Sequence, residues 1–227
     1  MTEPLVLSEP GRVWRLTLNR PDARNAVSAG MIEALHADLS QAADDTECRV
    51  VLLSGTGRDF CSGADVGELL AAREGSGTID YGRSFEGLLR AIEDHPVPVV
   101  AAAHGAALGA GCQLLLACDL VIAADDARIG IPSARLGIVI PFENVQRLVI
   151  AVGPKRTAEM LLAGRVLTGR EAKDWGLVNE TAARDVVEAG AEVAERVASL
   201  APMSVGASKR GIREAVSGLV AGQGSAA

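Results

Sequence analysis

"AAAHGAALGAGCQLLLACD", residues 101–119, starts as a run of small apolar residues, passes through a glycine-bearing turn and continues without a break into leucines. This is how a buried strand looks when its end turns directly into a buried helix. Unpaired N–H groups at such a helix start, reinforced by the helix dipole, favour negative charge off the strand end. The stretch "GRDFCSGADVGEL", residues 57–69, repeats the design after the apolar run "RVVLLSG". Two such turns converging on one oxygen would make an oxyanion hole; on the alternative reading, the small residues only let the helices pack closely. "GAALGAG" is not read as a dinucleotide fingerprint, because no acidic ribose partner ends a second strand downstream.

Around these turns, strand-like runs at 4–8 and 13–18 are joined through "SEPG" and predict a hairpin. Ser28 is placed to cap a helix in which Met31, Ile32, Leu35 and Leu39 share one face. Phe85, Leu88, Leu89 and Ile92 mark a second amphipathic helix, reached through "EGSGTID" (74–80), a glycine- and serine-rich segment expected to be a mobile loop. "VPVVAAAHG" predicts a buried strand, and "DLVIAADDARIGIP" two short strands around an acidic turn. After Glu143 the segments read as helices separated by Gly or Pro. Strands alternating with helices imply parallel crossovers, hence an α/β core over residues 1–150 and a helical C-terminal region over 151–227.

A chain of 227 residues, 48% apolar but only 3% aromatic, can bury a large core built from small aliphatic side chains, which disfavours disorder. Its net charge of -7 argues against a non-specific nucleic-acid binder, while a local basic patch for a small anion stays open. Cys48, Cys61, Cys112 and Cys118 show no zinc-site spacing and read as reduced core thiols; no metal site is expected. There is neither a basic leader followed by a long apolar stretch nor a membrane-length apolar run, so no membrane span and a cytoplasmic location are expected.

The two turns, with "LNRPDARNAVS" upstream and "LAGRVLTGREAKDWGLVNE" downstream, closely resemble the enoyl-CoA hydratase/isomerase (crotonase) family over residues Arg15 to Ala207. The resemblance implies a spiral of βαβ units with C-terminal helices that mediate trimer assembly, a homotrimer or a dimer of trimers. It also implies an acyl-CoA or enoyl-CoA substrate, with coenzyme A as part of the substrate and no metal or redox cofactor. The oxyanion N–H groups would fall on Ala64 and on Ala110, where the family usually carries the middle glycine of a triplet. The segment Ala23, Arg24 and Ala26, with Ser62, Gly63, Asp65 and Val66, would correspond to the coenzyme A side. Arg24 would meet a phosphate there, or stand as a solvated loop cation.

Several positions depart from the family pattern. Hydratases pair two glutamates to position a water and move its proton; these fall on Gln113 and Ser133, neither of which is a competent base alone. Glu143 is the replacement candidate, as the carboxylate that shuttles a proton along the acyl chain, or merely as an acid at a helix start. Of the histidines only His104 is near the expected chemistry. Asp65 is expected to organise its loop, Asp119 to hold a turn, and Tyr81 and Phe85 to line an acyl tunnel or simply pack. The ending "SGLVAGQGSAA" lacks amphipathic helical length and puts the standard trimer in doubt. Three functions are weighed: an enoyl-CoA isomerase or hydratase, a non-catalytic acyl-CoA-binding module of the same fold, and a structural role with the pocket closed by Ala110 and aliphatic side chains; turnover of enoyl thioesters separates the first two.

Overall fold

The computed structural model describes residues 4–73 and 80–221. The predicted hairpin is β1 (Val6–Glu9) and β2 (Val13–Leu18), followed by α1 (Ala29–Asp44) with Ser28 accepting from the Met31 N–H, then β3 (Val50–Gly55), α2 (Val66–Arg73) and α3 (Tyr81–Glu93). Next come β4 (Val99–Ala103), β5 (Ala106–Leu108), α4 (Ala110–Ala117), β6 (Leu120–Ala124) and β7 (Arg128–Gly130). The chain closes with α5 (Phe142–Val152), α6 (Pro154–Leu162), β8 (Leu167–Thr168), α7 (Gly169–Trp175), β9 (Glu180–Ala182), α8 (Val186–Ala198) and α9 (Pro202–Ala221). The predicted loop at 74–80 lies, except for Asp80, outside the described residues.

The main sheet has the order β1-β2-β3-β4-β6-β9, parallel throughout except for the β1–β2 hairpin. Its strands read as unbroken apolar runs because both faces are covered. Val51, Leu53, Ala101 and Ala103 face the main core, whereas Val50, Leu52, Val100 and Ala102 alternate with them into a second layer closed by Val186, Val193 and Ala194 of α8. A second ladder runs alongside: isolated bridges pair Val27 with Ala64 and Cys61 with Ala107, and β5-β7-β8 continue it. Each turn of chain therefore contributes to both ladders, which is the spiral of βαβ units. Cys61 and Cys112 are free thiols in this core, pushed up to about 12 by burial and hence inert.

Two expectations are corrected. The region after residue 150 is not purely helical, because β9 extends the main sheet and β8 the smaller one, and α5 crosses the expected boundary. Strands of two and three residues carry no periodicity of their own; pairing with β6 and β7 makes them strands. The last helix also continues into the C-terminal small-residue segment, as far as Ala221.

Polar groups fasten α9 to the core. The buried Lys209 ammonium donates to the carbonyls of Ile92 (3.1 Å) and Val97 (3.2 Å) and to Asp119 (2.7 Å), confirming Asp119 as structural. Beside it His95 is buried, its Nε2 3.1 Å from the Leu39 carbonyl and its Nδ1 3.1 Å from the Val97 carbonyl. Burial, with a smaller contribution from Lys209, holds the His95 imidazole below its ordinary pKa. The unfolded chain, with an ordinary value of ~6.5, therefore takes up a proton that the folded chain refuses. Stability is full above that value and falls as pH drops toward the lowered folded one. Denaturation midpoints measured from pH 7.5 to 5.5 should decline in the wild type and decline less in His95→Gln; equal slopes would remove His95 as the cause.

Candidate active site

The pair of small-residue turns meets at one place. Gly109, at φ 54° and ψ −115°, adopts a conformation closed to L side chains, and a Cβ built on it would lie 3.6 Å from the Gly63 Cα. At Gly111 a Cβ would be 2.4 Å from the Cys61 carbonyl oxygen, so only glycine lets the start of α4 close against the first turn. The two N–H groups of interest have no acceptor among the described residues, for different reasons. Val27 donates to Gly63 O and accepts from Asp65 N (both 2.8 Å), so Ala64 between them turns its own N–H to the opposite edge. Ala110 is the first residue of α4, where an N–H has no acceptor within the helix, and no other backbone acceptor meets it among the described residues.

Both alanines line a cavity of about 440 Å³ with Ser62, Gly63, Val66, Gln113 and Ser133. Tyr81 and Phe85 form part of the same wall, their rings stacked 6.1 Å apart, and the Tyr81 hydroxyl donates to the Val27 carbonyl (2.9 Å). Gln113, 7% exposed, and Ser133 make no side-chain hydrogen bond among the described residues, so their polar atoms are available to a guest. The β5–β7 pairing, with Gly109 donating to Gly130 O (2.9 Å), explains their proximity: the chain leaves that pair toward Gln113 on one side and Ser133 on the other.

Ala23, Arg24 and Ala26 flank the cavity rather than line it. Their segment is tied to the first turn by Ser62 N donating to Arg24 O (3.0 Å). Arg24 donates to Asp59 (2.7 Å), and this hydrogen bond raises its pKa, so its charge is already answered within the protein. Burial works against the charge of Asp59, but Arg24, the Ala106 N–H and Arg58 outweigh it and hold the carboxyl below its ordinary range. Asp65 binds Arg20 (3.1 Å) and accepts from the N–H groups of Gly67 and Glu68, organising its loop. The His104 ring donates to Gly57 O (3.0 Å) and lies outside the cavity lining.

Glu143 lies apart from this cavity. It is exposed on the first turn of α5 and faces a separate groove with Glu93, Arg147 and Arg213, outside the cavity lining. Its neighbour Asn144, 2% exposed, is the residue that faces inward. The carboxylate that does line the cavity, Glu86, accepts two hydrogen bonds from Arg147 (both 2.8 Å) and one from Arg90 (3.0 Å). Burial pushes its pKa up, yet these arginines bring it below the ordinary range, so Glu86 is a poor base. Arg147 also donates to Glu93 (2.9 Å), which binds Arg213 of α9 (3.1 Å). In sequence, Glu86 looks like the wet side of an amphipathic helix; its pairing with the arginine of "ENVQRL" is a long-range fact.

Two backbone amides with no acceptor among the described residues thus border an apolar cavity on a βαβ spiral. The enoyl-CoA hydratase/isomerase family model matches residues 8–226. The chain is 36% identical over 211 residues to a 2,3-dehydroadipyl-CoA hydratase of Escherichia coli (strain K12), covering 92% of this chain and 82% of that one. It is also 36% identical over 212 residues to a carnitinyl-CoA dehydratase of Proteus mirabilis (strain HI4320), covering 92% and 80%. The crystal structure of an enoyl-CoA hydratase/isomerase from Xanthobacter autotrophicus Py2 superposes with a TM-score of 0.89 at 30% identity, over 98% of this chain and 84% of that one. The protein belongs to the enoyl-CoA hydratase/isomerase family.

Proposed function

We propose that the cavity takes an acyl thioester of coenzyme A with its carbonyl oxygen between the Ala64 and Ala110 N–H groups, and that the reaction of hydratase or isomerase type passes through the enolate. The observation that carries this reading is the pair of amides on one cavity wall with no acceptor among the described residues. As the carbonyl becomes an enolate its oxygen gains charge, and each preorganised donor lowers the barrier by ~3–4 kcal/mol. The mechanism asks for no metal or redox group.

Proton movement differs from the two-glutamate route. Gln113 and Ser133 orient a water or the acyl group by hydrogen bonds, and the proton lost beside the carbonyl passes through that water to solvent, because the arginines that lower the pKa of the lining carboxylate Glu86 make it a weak base. Incubation with 2-enoyl, 3-enoyl and dienoyl thioesters in deuterated solvent should show turnover or deuterium uptake beside the carbonyl. Glu143→Gln should retain it fully, since that carboxylate lies outside the cavity. With Glu86 already matched by arginines, the wall supports one other reading, a protein that binds the thioester without chemistry. Tight binding with neither turnover nor exchange would establish it.

A further inference from the structure

Charge on the cavity wall is unevenly matched. Glu86 is answered by Arg147 and Arg90. Arg135, two residues after Ser133 in the short 3-10 turn Ser133–Leu136, also lines the cavity and has no carboxylate partner among the described residues. It is nevertheless held in place. One guanidinium nitrogen donates to the Gly164 carbonyl (2.9 Å), and the side chain lies over Gly164 so closely that a Cβ there would be 3.2 Å from Nε. Its other N–H groups are left for a guest, and an arginine fork matches a carboxylate in shape as well as charge.

We infer that the acyl group this cavity accepts carries a free carboxylate, which pairs with Arg135. The inference rests on the acyl-CoA reading proposed above and adds the substrate class. Gln113 and Ser133 agree with it: a second anion in the cavity would be repelled by carboxylates at those two positions, and is not repelled by an amide and a hydroxyl. Arg135 stands on the exposed rim of the cavity beside Leu136 and Val139, so the carboxylate would sit at the mouth, at the far end of an acyl chain whose carbonyl lies between Ala64 and Ala110.

The test compares dissociation constants by calorimetry for malonyl-, succinyl-, glutaryl- and adipyl-CoA, each against the neutral acyl-CoA of equal chain length. In the wild type at least one carboxylated thioester should bind about threefold or more tighter than its neutral partner, the scale of a solvent-exposed ion pair. In Arg135→Gln that ratio should fall toward one. No preference in the wild type overturns the inference. So does an Arg135→Gln variant that weakens both members of a pair equally, since the guanidinium would then be reading a coenzyme A phosphate. Failure of every thioester to bind, neutral ones included, is a different result and removes the acyl-CoA reading itself.

Discussion

Replacing Gln113 and Ser133 together by glutamate is expected to raise hydration of a 2-enoyl thioester by at least about a hundredfold, the lower end of what a positioned acid–base group contributes. Both side chains line the cavity, and neither is tied to a protein partner among the described residues, so no hydrogen bond has to be broken to make the change. Gln113→Glu is close to isosteric. Ser133→Glu adds three heavy atoms, which a cavity of about 440 Å³ accommodates without crowding. Burial at the Gln113 site would raise the pKa of the introduced carboxyl and improve it as a base, with the nearby start of α4 working in the opposite sense. Each single variant should gain less, because one group must position the water while the other moves its proton. Loss of the conjugated thioester absorbance reports the rate. A double variant that still binds acyl-CoA yet gains nothing would show that cavity shape, and not the absent base, decides the chemistry.

The parts of this arrangement that can be read from sequence are those whose cause is local. The faces of α1 and α3 repeat every three to four residues because each buries one side against the core, as Leu35 and Leu39 or Phe85 and Leu89 do. The turns carrying Ala64 and Ala110 are recognisable because backbone N–H groups must be exposed wherever a strand gives way to a helix start, whatever the side chains. Glu143 stands off the cavity for an equally local reason. Successive residues on a helix are turned by roughly 100°, so correct placement of α5 beside the site still leaves the side chain one position away from facing it, and Asn144 takes that place. Glu86, Arg135 and Asp59 depend on partners 61, 29 and 47 residues away, at Arg147, Gly164 and Ala106, and no periodicity announces those pairings.

Ala110→Pro should lower enolate chemistry by about a hundred- to a thousandfold, the effect of deleting one oxyanion donor, ~2.7–4 kcal/mol. The substitution is chosen because it removes the N–H and little else. Ala110 is the first residue of α4, a position where proline's fixed φ suits the helix and its missing N–H breaks no helical hydrogen bond. Proline disfavours helical backbone in the residue before it, and Gly109, at ψ −115°, is already outside that region. Ala110 is buried in the main core as well as bordering the cavity, so the two added carbons must be taken up on the cavity side. Ala110→Gly is the matched control, since it keeps the N–H and should keep the rate. Deuterium exchange beside the thioester carbonyl measures the loss, and thermal unfolding of both variants checks that α4 is intact. Full exchange in a folded Ala110→Pro protein would move the oxyanion away from α4 and leave Ala64 without its partner. The predicted collapse, with glycine unaffected, would tie the chemistry to a backbone group that tolerates alanine where a glycine was expected.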